Sequence, residues 1–271
     1  MSLLLLGNER RERVLTAERT AVLAEEQGRL LVITLNRPEA RNAVNLEVAE
    51  GIAEALDRLD ESPQLQVGVI TGAGKGFCAG MDLKAFAEGK RPWVGDRGFA
   101  GIVRRAAAKP LVAAVEGFAV AGGLEIALAC DLIVAARDAR LGISEVKRGL
   151  VAAGGALLRL PRRIPYHVAM ELALTGEFFS VERAYQVGLV NRVTEPGKAL
   201  EEALALAELI ARNAPLAVAA SKRIIQEQWD WPVGEAFDRQ AQISDPVFAS
   251  EDAKEGARAF AEKREPRWQG R

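Results

Sequence analysis

Histidine and cysteine are almost missing: the 271 residues include one His, His167, and two Cys, Cys78 and Cys130. That scarcity offers neither a zinc ligand set nor a Ser-His-Asp relay. His167 reads as an ordinary helix residue and the cysteines as small buried hydrophobes. Two cysteines make no disulfide framework either, which fits a reducing cytoplasm. An excess of one charge is also lacking. Lys plus Arg number 36 against 37 Asp plus Glu, a net charge of -1, so no overall positive field draws nucleic acid or an anionic membrane. No run reaches the roughly 18 unbroken apolar residues that span a bilayer. The opening stretch MSLLLLGNERRERVLTAERTAVLAEEQG places four leucines ahead of its charges, the reverse of an export signal. Its arginines alternate with Glu9, Glu12 and Glu18, unlike an acid-poor organelle leader. Residues 1–28 are therefore expected to form an irregular or helical surface arm.

What is present is enough apolar material for a sizeable core, 49% of the chain. From Arg29 onward, short β-rich runs (LLVITL, QVGVITG, PLVAAVEG, DLIVAA) alternate with helical ones (NLEVAEGIAEALDRLD, FAGIVRRAAAK, and a short helix opening near Gly122). This is the pattern of an α/β fold with a parallel sheet. Beyond about Gly155 helices dominate, through PYHVAMELALTG, VERAYQVG, GKALEEALALAELIARNA, PLAVAASKRIIQEQW and SEDAKEGARAFAEKR. The expected organisation is an α/β core over residues 29–200, carrying the active site, and a helical region over 201–271. The segment AEGKRPWVGDRGFAG, rich in glycine and without periodicity, is expected to be a mobile loop over a site.

Gly72, Gly74 and Gly76 in TGAGKGFCAG do not make a nucleotide loop. Val69 stands at the first Walker glycine, Gly76 follows the lysine in place of Ser or Thr, and Phe77 occupies the third glycine of a dinucleotide fingerprint. Two strand-to-helix turns remain, GKGFCAGMDLKAF and EGFAVAGGLEIAL. The first N–H groups of a helix lack internal acceptors and lie at its positive end, so two converging turns would build an oxyanion hole. Glu125 follows Gly122 by one helical turn, and Glu145 comes twenty residues later in LGISEVKRGL. Two carboxyl groups near such a hole could divide acid and base roles. Structural readings stand beside this: Glu125 answering its helix dipole, and Glu145 paired with Lys147 or Arg148.

The motifs ITLNRPEARNAVN, GAGKGFCAGMDL, VEGFAVAGGLEIALACDL, GISEVKRGL, LLRLPRRI, GLVNRV and DAKEGARAFAEKR occur in that order over some nine-tenths of the chain. In them the sequence resembles the crotonase superfamily, and within it the enoyl-CoA hydratases. The resemblance implies a spiral of ββα turns followed by a helical C-terminal trimerisation region, with trimers commonly paired into a hexamer. It implies an acyl-CoA thioester as substrate, with CoA arriving as part of it and no metal or separate cofactor. Carried over by position, the thioester carbonyl would meet the N–H groups of Met81 and Gly122, and Glu125 and Glu145 would hold and activate a water. Glu39, Ala40, Arg41, Ala79, Asp82, Leu83 and Lys84 match CoA-binding stretches. Lys263 is expected to reach CoA phosphates, with an adjacent subunit's among the candidates. Departures are Ala121 in place of the first of three glycines and Ala153 where the family has a glycine whose N–H helps hold the water. Leu157 and Leu158 stand where Thr and Gln are usual. Other superfamily reactions (carnitinyl-CoA dehydration, enoyl-CoA isomerisation), a silent acyl-CoA binder and an RNA-binding side role are the alternatives.

Overall fold

The computed structural model describes residues 20–271. The first nineteen residues of the expected arm lie outside these. Its last part is not an arm: Val22–Gln27 (β1) forms an edge strand paired antiparallel with Leu30–Leu35 (β2). Four more strands continue the sheet in parallel: Val67–Gly72 (β3), Leu111–Val115 (β6), Leu132–Ala136 (β8) and Arg192–Thr194 (β11). The order is β1-β2-β3-β6-β8-β11. Strands β2, β3, β6 and β8 are chiefly apolar because both faces of the sheet are covered there, whereas the edge strands β1 and β11 carry polar residues.

Alternate side chains serve the two faces. Leu31, Ile33 and Leu35 join the cluster that includes Val48, Ile52, Leu56 and Leu59 of helix Leu46–Glu61 (α1), whose start is capped by the Asn45 side chain accepting the Val48 N–H at 3.1 Å. Leu30, Val67, Val69, Val112 and Val134 pack against Ala199, Ala203, Ala207 and Ala211 of helix Ala199–Ala211 (α7). Alanines every fourth residue put one smooth stripe on the sheet. The expected core boundary at residue 200 therefore cuts through a helix that belongs to the core.

A second sheet, in the order β10-β9-β7, is built from Phe179–Ser180 (β10), Arg140–Gly142 (β9) and Phe118–Val120 (β7). Strands β6 and β7, then β8 and β9, each place one strand in the main sheet and the next in the small one. These are the successive ββ steps of the spiral, and helices Gly122–Ala129 (α3) and Ala156–Arg163 (α4) follow them.

Residues Phe99–Lys109 do not form the expected helix. Ala100 and Gly101 have positive φ (55° and 67°), and a Cβ on Gly101 would stand 2.2 Å from the Ala49 carbonyl oxygen. The close approach to α1 fixes a turn there. The preceding segment is not a loose loop: Trp93–Val94 (β4) and Gly98–Phe99 (β5) pair as a short antiparallel hairpin.

Helices Tyr166–Thr175 (α5) and Val181–Gln186 (α6) flank the small sheet's outer strand, and Pro215–Glu227 (α8), Ala236–Phe248 (α9) and Glu251–Glu262 (α10) complete the chain. Lys222 ties α8 to the core: its buried ammonium donates to the carbonyls of Ala107 (2.9 Å) and Lys109 (2.8 Å) and to Asp131 (2.7 Å). No single helix among the described residues is long and apolar enough to cross a membrane.

Candidate active site

The segment after β2 folds back to brace the first glycine turn. Buried Asn42 donates to the carbonyls of Ala73 (2.9 Å) and Gly76 (2.8 Å) and accepts the Arg37 N–H at 3.0 Å. Backbone bonds from Ala79 to Arg41, from Val44 to Gly80 and from Asp82 to Val44 lock the two segments together. The Arg37 guanidinium reaches the Ala43 carbonyl (2.7 Å) and the Asp82 carboxylate (3.0 Å). Asp82 in turn caps the short helix Leu83–Ala87 (α2). Burial would raise the Asp82 carboxyl, but the N–H groups of Ala85 and Lys84 and the Arg37 charge outweigh it and hold it below the ordinary range.

The second turn packs directly on the first. A Cβ on Gly123 would lie 2.1 Å from the Cys78 carbonyl oxygen, and one on Gly80 would lie 2.9 Å from the Gly122 nitrogen. Only glycine lets these two backbones approach so closely. As a result the N–H groups of Met81 and Gly122 both border one cavity, and neither finds an acceptor among the described residues. Ala121, the departure noted in the sequence, takes φ 51° and ψ -128°, a conformation that favours glycine.

Glu125 is 4% exposed. Its carboxylate does not answer its own helix. It accepts the N–H of Ala156 at 3.2 Å, across 31 residues, and stands against Gly154, where a Cβ would meet Oε2 at 2.2 Å. Burial raises its pKa to about 7 and the charge of Glu145 adds to this, while the N–H groups of Ala156 and Gly154 and the Arg159 guanidinium pull it back. Glu145 opens a short 3₁₀ turn, Glu145–Arg148. Burial raises its pKa too, against its own backbone N–H. The alternative reading, a surface pairing of Glu145 with Lys147 or Arg148, is not what the structure shows: Lys147 bonds Glu177 at 2.5 Å, and among the described residues Arg148 joins no ion pair and the buried Oε2 of Glu145 has no partner.

The cavity has a volume of about 860 Å³. The structure brings together at its wall Glu39, Ala40, Arg41, Ala79, Met81, Asp82, Leu83, Lys84, Gly122, Glu125 and Glu145. Lys263 is the exception. It caps the far end of α10 in a left-handed conformation (φ 52°) and does not line this chain's cavity. Ala153 does line it, but its N–H is directed to the Val151 carbonyl at 2.8 Å instead of into the cavity. Sequence reasoning missed Gly154, the Ala156 N–H and Arg159, all in the stretch AGGALLRL; the glycine pair after Glu145 was the available signal. Phe99 fell both in the segment expected over a site and at the start of an expected helix, and was not singled out as a wall residue.

Among the described residues no group of three or more His, Cys, Asp or Glu side chains is placed to hold a metal ion. What the site offers is two backbone donors without acceptors among the described residues, a buried Glu125 carboxyl and a half-buried Glu145 carboxyl on one cavity, an arrangement able to hold a developing oxyanion while moving protons beside it.

Comparison with known proteins gives the family and the fold. The family model described as enoyl-CoA hydratase/isomerase matches residues 25–271. The enoyl-CoA hydratase EchA19 of Mycobacterium tuberculosis is 47% identical over 259 residues, 92% of this chain and 96% of that protein. The carnitinyl-CoA dehydratase of Salmonella typhimurium is 43% identical over 252 residues, 90% of this chain and 96% of that one. Among solved structures, enoyl-CoA hydratase EchA1 from Mycobacterium marinum superposes with a TM-score of 0.92 at 60% identity, covering 93% of this chain and 100% of its own. A carnitinyl-CoA hydratase from Mycobacterium avium gives 0.75 at 44% identity, with the same coverage of 93% and 100%.

Proposed function

Because the chain belongs to the enoyl-CoA hydratase/isomerase family, we propose that it adds water across the trans-2 double bond of an enoyl-CoA thioester to give a 3-hydroxyacyl-CoA. The observation that carries this reading is the pair Glu125 and Glu145 on the cavity bordered by the N–H groups of Met81 and Gly122. The thioester oxygen accepts both N–H bonds. As the water oxygen bonds to the β carbon, electrons move toward that thioester oxygen, and the two donors, fixed in place beforehand, stabilise the charge. One donor of this kind contributes about 10² to 10³ in rate.

The two carboxyl groups divide the proton transfers. Ionised Glu125 takes a proton from the water while protonated Glu145 delivers one to the α carbon, so both new bonds form on the same face. Their shared burial and mutual repulsion favour this state with one proton between them. Glu39 to Arg41, Ala79 and Asp82 to Lys84 hold the CoA portion, which is part of the substrate. The scheme uses neither a metal nor a redox cofactor. The active form is a homotrimer or a pair of trimers, with the helices after α7 forming its contacts, and Lys263 serves a neighbouring copy's CoA.

Loss of the conjugated thioester absorbance with crotonyl-CoA and longer trans-2-enoyl-CoAs tests this directly. Rapid loss in the wild type, with falls of about 10²-fold or more in Glu125→Gln and Glu145→Gln, is expected. Absence of turnover on every chain length would overturn it. The carnitinyl-CoA dehydratase relatives at 43% identity support a second reading, the same two carboxyl groups removing water from carnitinyl-CoA. Turnover of carnitinyl-CoA with none of crotonyl-CoA would select it.

A further inference from the structure

Phe99 and Trp93 stand side by side on the cavity wall, ring centroids 5.4 Å apart and planes at 64°. Phe99 is 4% exposed and sits hard against one oxyanion donor, since a Cβ on Gly122 would lie 2.6 Å from its ring. It closes the space beside the thioester. Trp93, one ring further out, is 42% exposed and presents apolar surface to the cavity. A buried aromatic ring is a stopper, whereas a half-exposed one on a cavity wall gains by being covered.

The hairpin that carries both rings is tethered from behind. Arg97, 2% exposed, donates one guanidinium N–H to Asp57 of α1 and another to the Arg105 carbonyl at 2.9 Å. The Arg97 carbonyl accepts the Arg104 N–H at 3.0 Å, and the Pro92 carbonyl accepts that of Ala100 at 2.9 Å. A fully buried arginine is costly to hold and serves here to fix one short turn. None of these groups belongs to the oxyanion turns or to the pair of glutamates.

We propose that Trp93 is the platform on which the acyl chain beyond the reacting double bond is bound, and that the buried Arg97–Asp57 tether is the positioning element that holds it beside Gly122. This rests on the enoyl-CoA reading of the site and adds a substrate class, unbranched enoyl chains longer than four carbons. Methylenes laid on the indole gain up to about fourfold in binding each. The gain enters through KM.

Two measurements on the full chain separate this proposal from the reaction assigned above. The first is kcat and KM for trans-2 C4, C6, C8 and C10 enoyl-CoAs in wild type, Trp93→Ala, Trp93→Phe and Asp57→Asn. The C10:C4 ratio of kcat/KM is expected to fall tenfold or more in Trp93→Ala, through KM. It is expected to be largely restored in Trp93→Phe and to fall by a smaller factor in Asp57→Asn, whose half-exposed site spares folding. A ratio within twofold of wild type in Trp93→Ala overturns the platform, and an unchanged Asp57→Asn overturns the tether. The second is the Kd of saturated C4, C8 and C10 acyl-CoAs, which cannot react. If wild type hydrates nothing yet its chain-length dependence of Kd is lost in Trp93→Ala, the hydratase reading fails and the platform stands. If the dependence of Kd is the same in both proteins, the platform fails whatever the reaction.

Discussion

Glu125 releases its proton near 7 in the folded protein and near its ordinary value of 4.5 when unfolded. Between those values the folded state binds more protons, so stability falls as pH rises through that window. Below it the penalty vanishes, and above it the penalty is constant. The interval corresponds to on the order of 3 kcal/mol. Glu125→Gln keeps an oxygen for the Ala156 N–H and removes the charge, although Arg159 then loses its neighbour. Its melting temperature is expected to exceed the wild type's at pH 8 and to approach it at pH 5, while hydration is lost; equal differences at both pH values would contradict the burial argument. The same pair sets the pH profile of turnover. Hydration needs one proton on the two carboxyl groups, both raised by burial, so the rate should trace a bell displaced above the ordinary carboxylate range. A rate already level at pH 5 would rule this out. Ala121 raises a separate question of strain. At φ 51° and ψ -128° it occupies space that glycine enters freely, so Ala121→Gly should stabilise the protein by about 1 kcal/mol in denaturant unfolding.

The two donor turns act as one element, because α3 starts where its backbone touches the carbonyl of Cys78. Gly123→Ala would drive a methyl group to 2.1 Å from that oxygen, a backbone atom that cannot rotate away. The expected result is a loss of more than about 2 kcal/mol together with hydration, as the Met81 and Gly122 donors separate. Activity retained in Gly123→Ala would mean that the turns need not converge. These turns were legible in the sequence, since strand-like runs led into small residues and then a helix. Strands β7, β9 and β10 were not, because two or three residues carry no period and are held by pairing with distant segments. The run FAGIVRRAAAK has helical composition, yet packing against Ala49 forces Gly101 into a turn, and the Phe99 wall was hidden by that choice. The contact of Glu125 with Ala156 was hidden for a related reason: 31 residues separate two groups that only the spiral brings together.

At the scale of the whole chain, the alternation of strands and helices gave the α/β core, because buried parallel strands announce themselves as apolar runs. The limits of that core were harder to read. Strand β1 has the polar composition of an edge, and α7, assigned to the helical end, is the sheet's own cover. Beyond α7 the pattern changes in kind. Helices α8 and α9 bury no residue in the single chain. Ile225 and Trp229 are exposed, as are Val233 (94%), Phe237 (82%) and Phe248 (76%). Lys222 and Gln226 anchor α8 through Asp131 and leave Ile225 of that helix exposed, while Trp229, Val233, Phe237 and Phe248 are exposed in the segments that follow it. Large apolar surface of this kind is characteristic of a face that another protein covers. Under the proposed homotrimer, a second and a third copy of this chain would cover it. Sedimentation equilibrium should then give the mass of three 29.2 kDa chains or of six. Phe237→Glu and Phe248→Glu, each placing a charge on that face, should shift the distribution toward smaller species while leaving the core's unfolding transition in place. A single 29.2 kDa species at every concentration would show that the face serves something other than self-association.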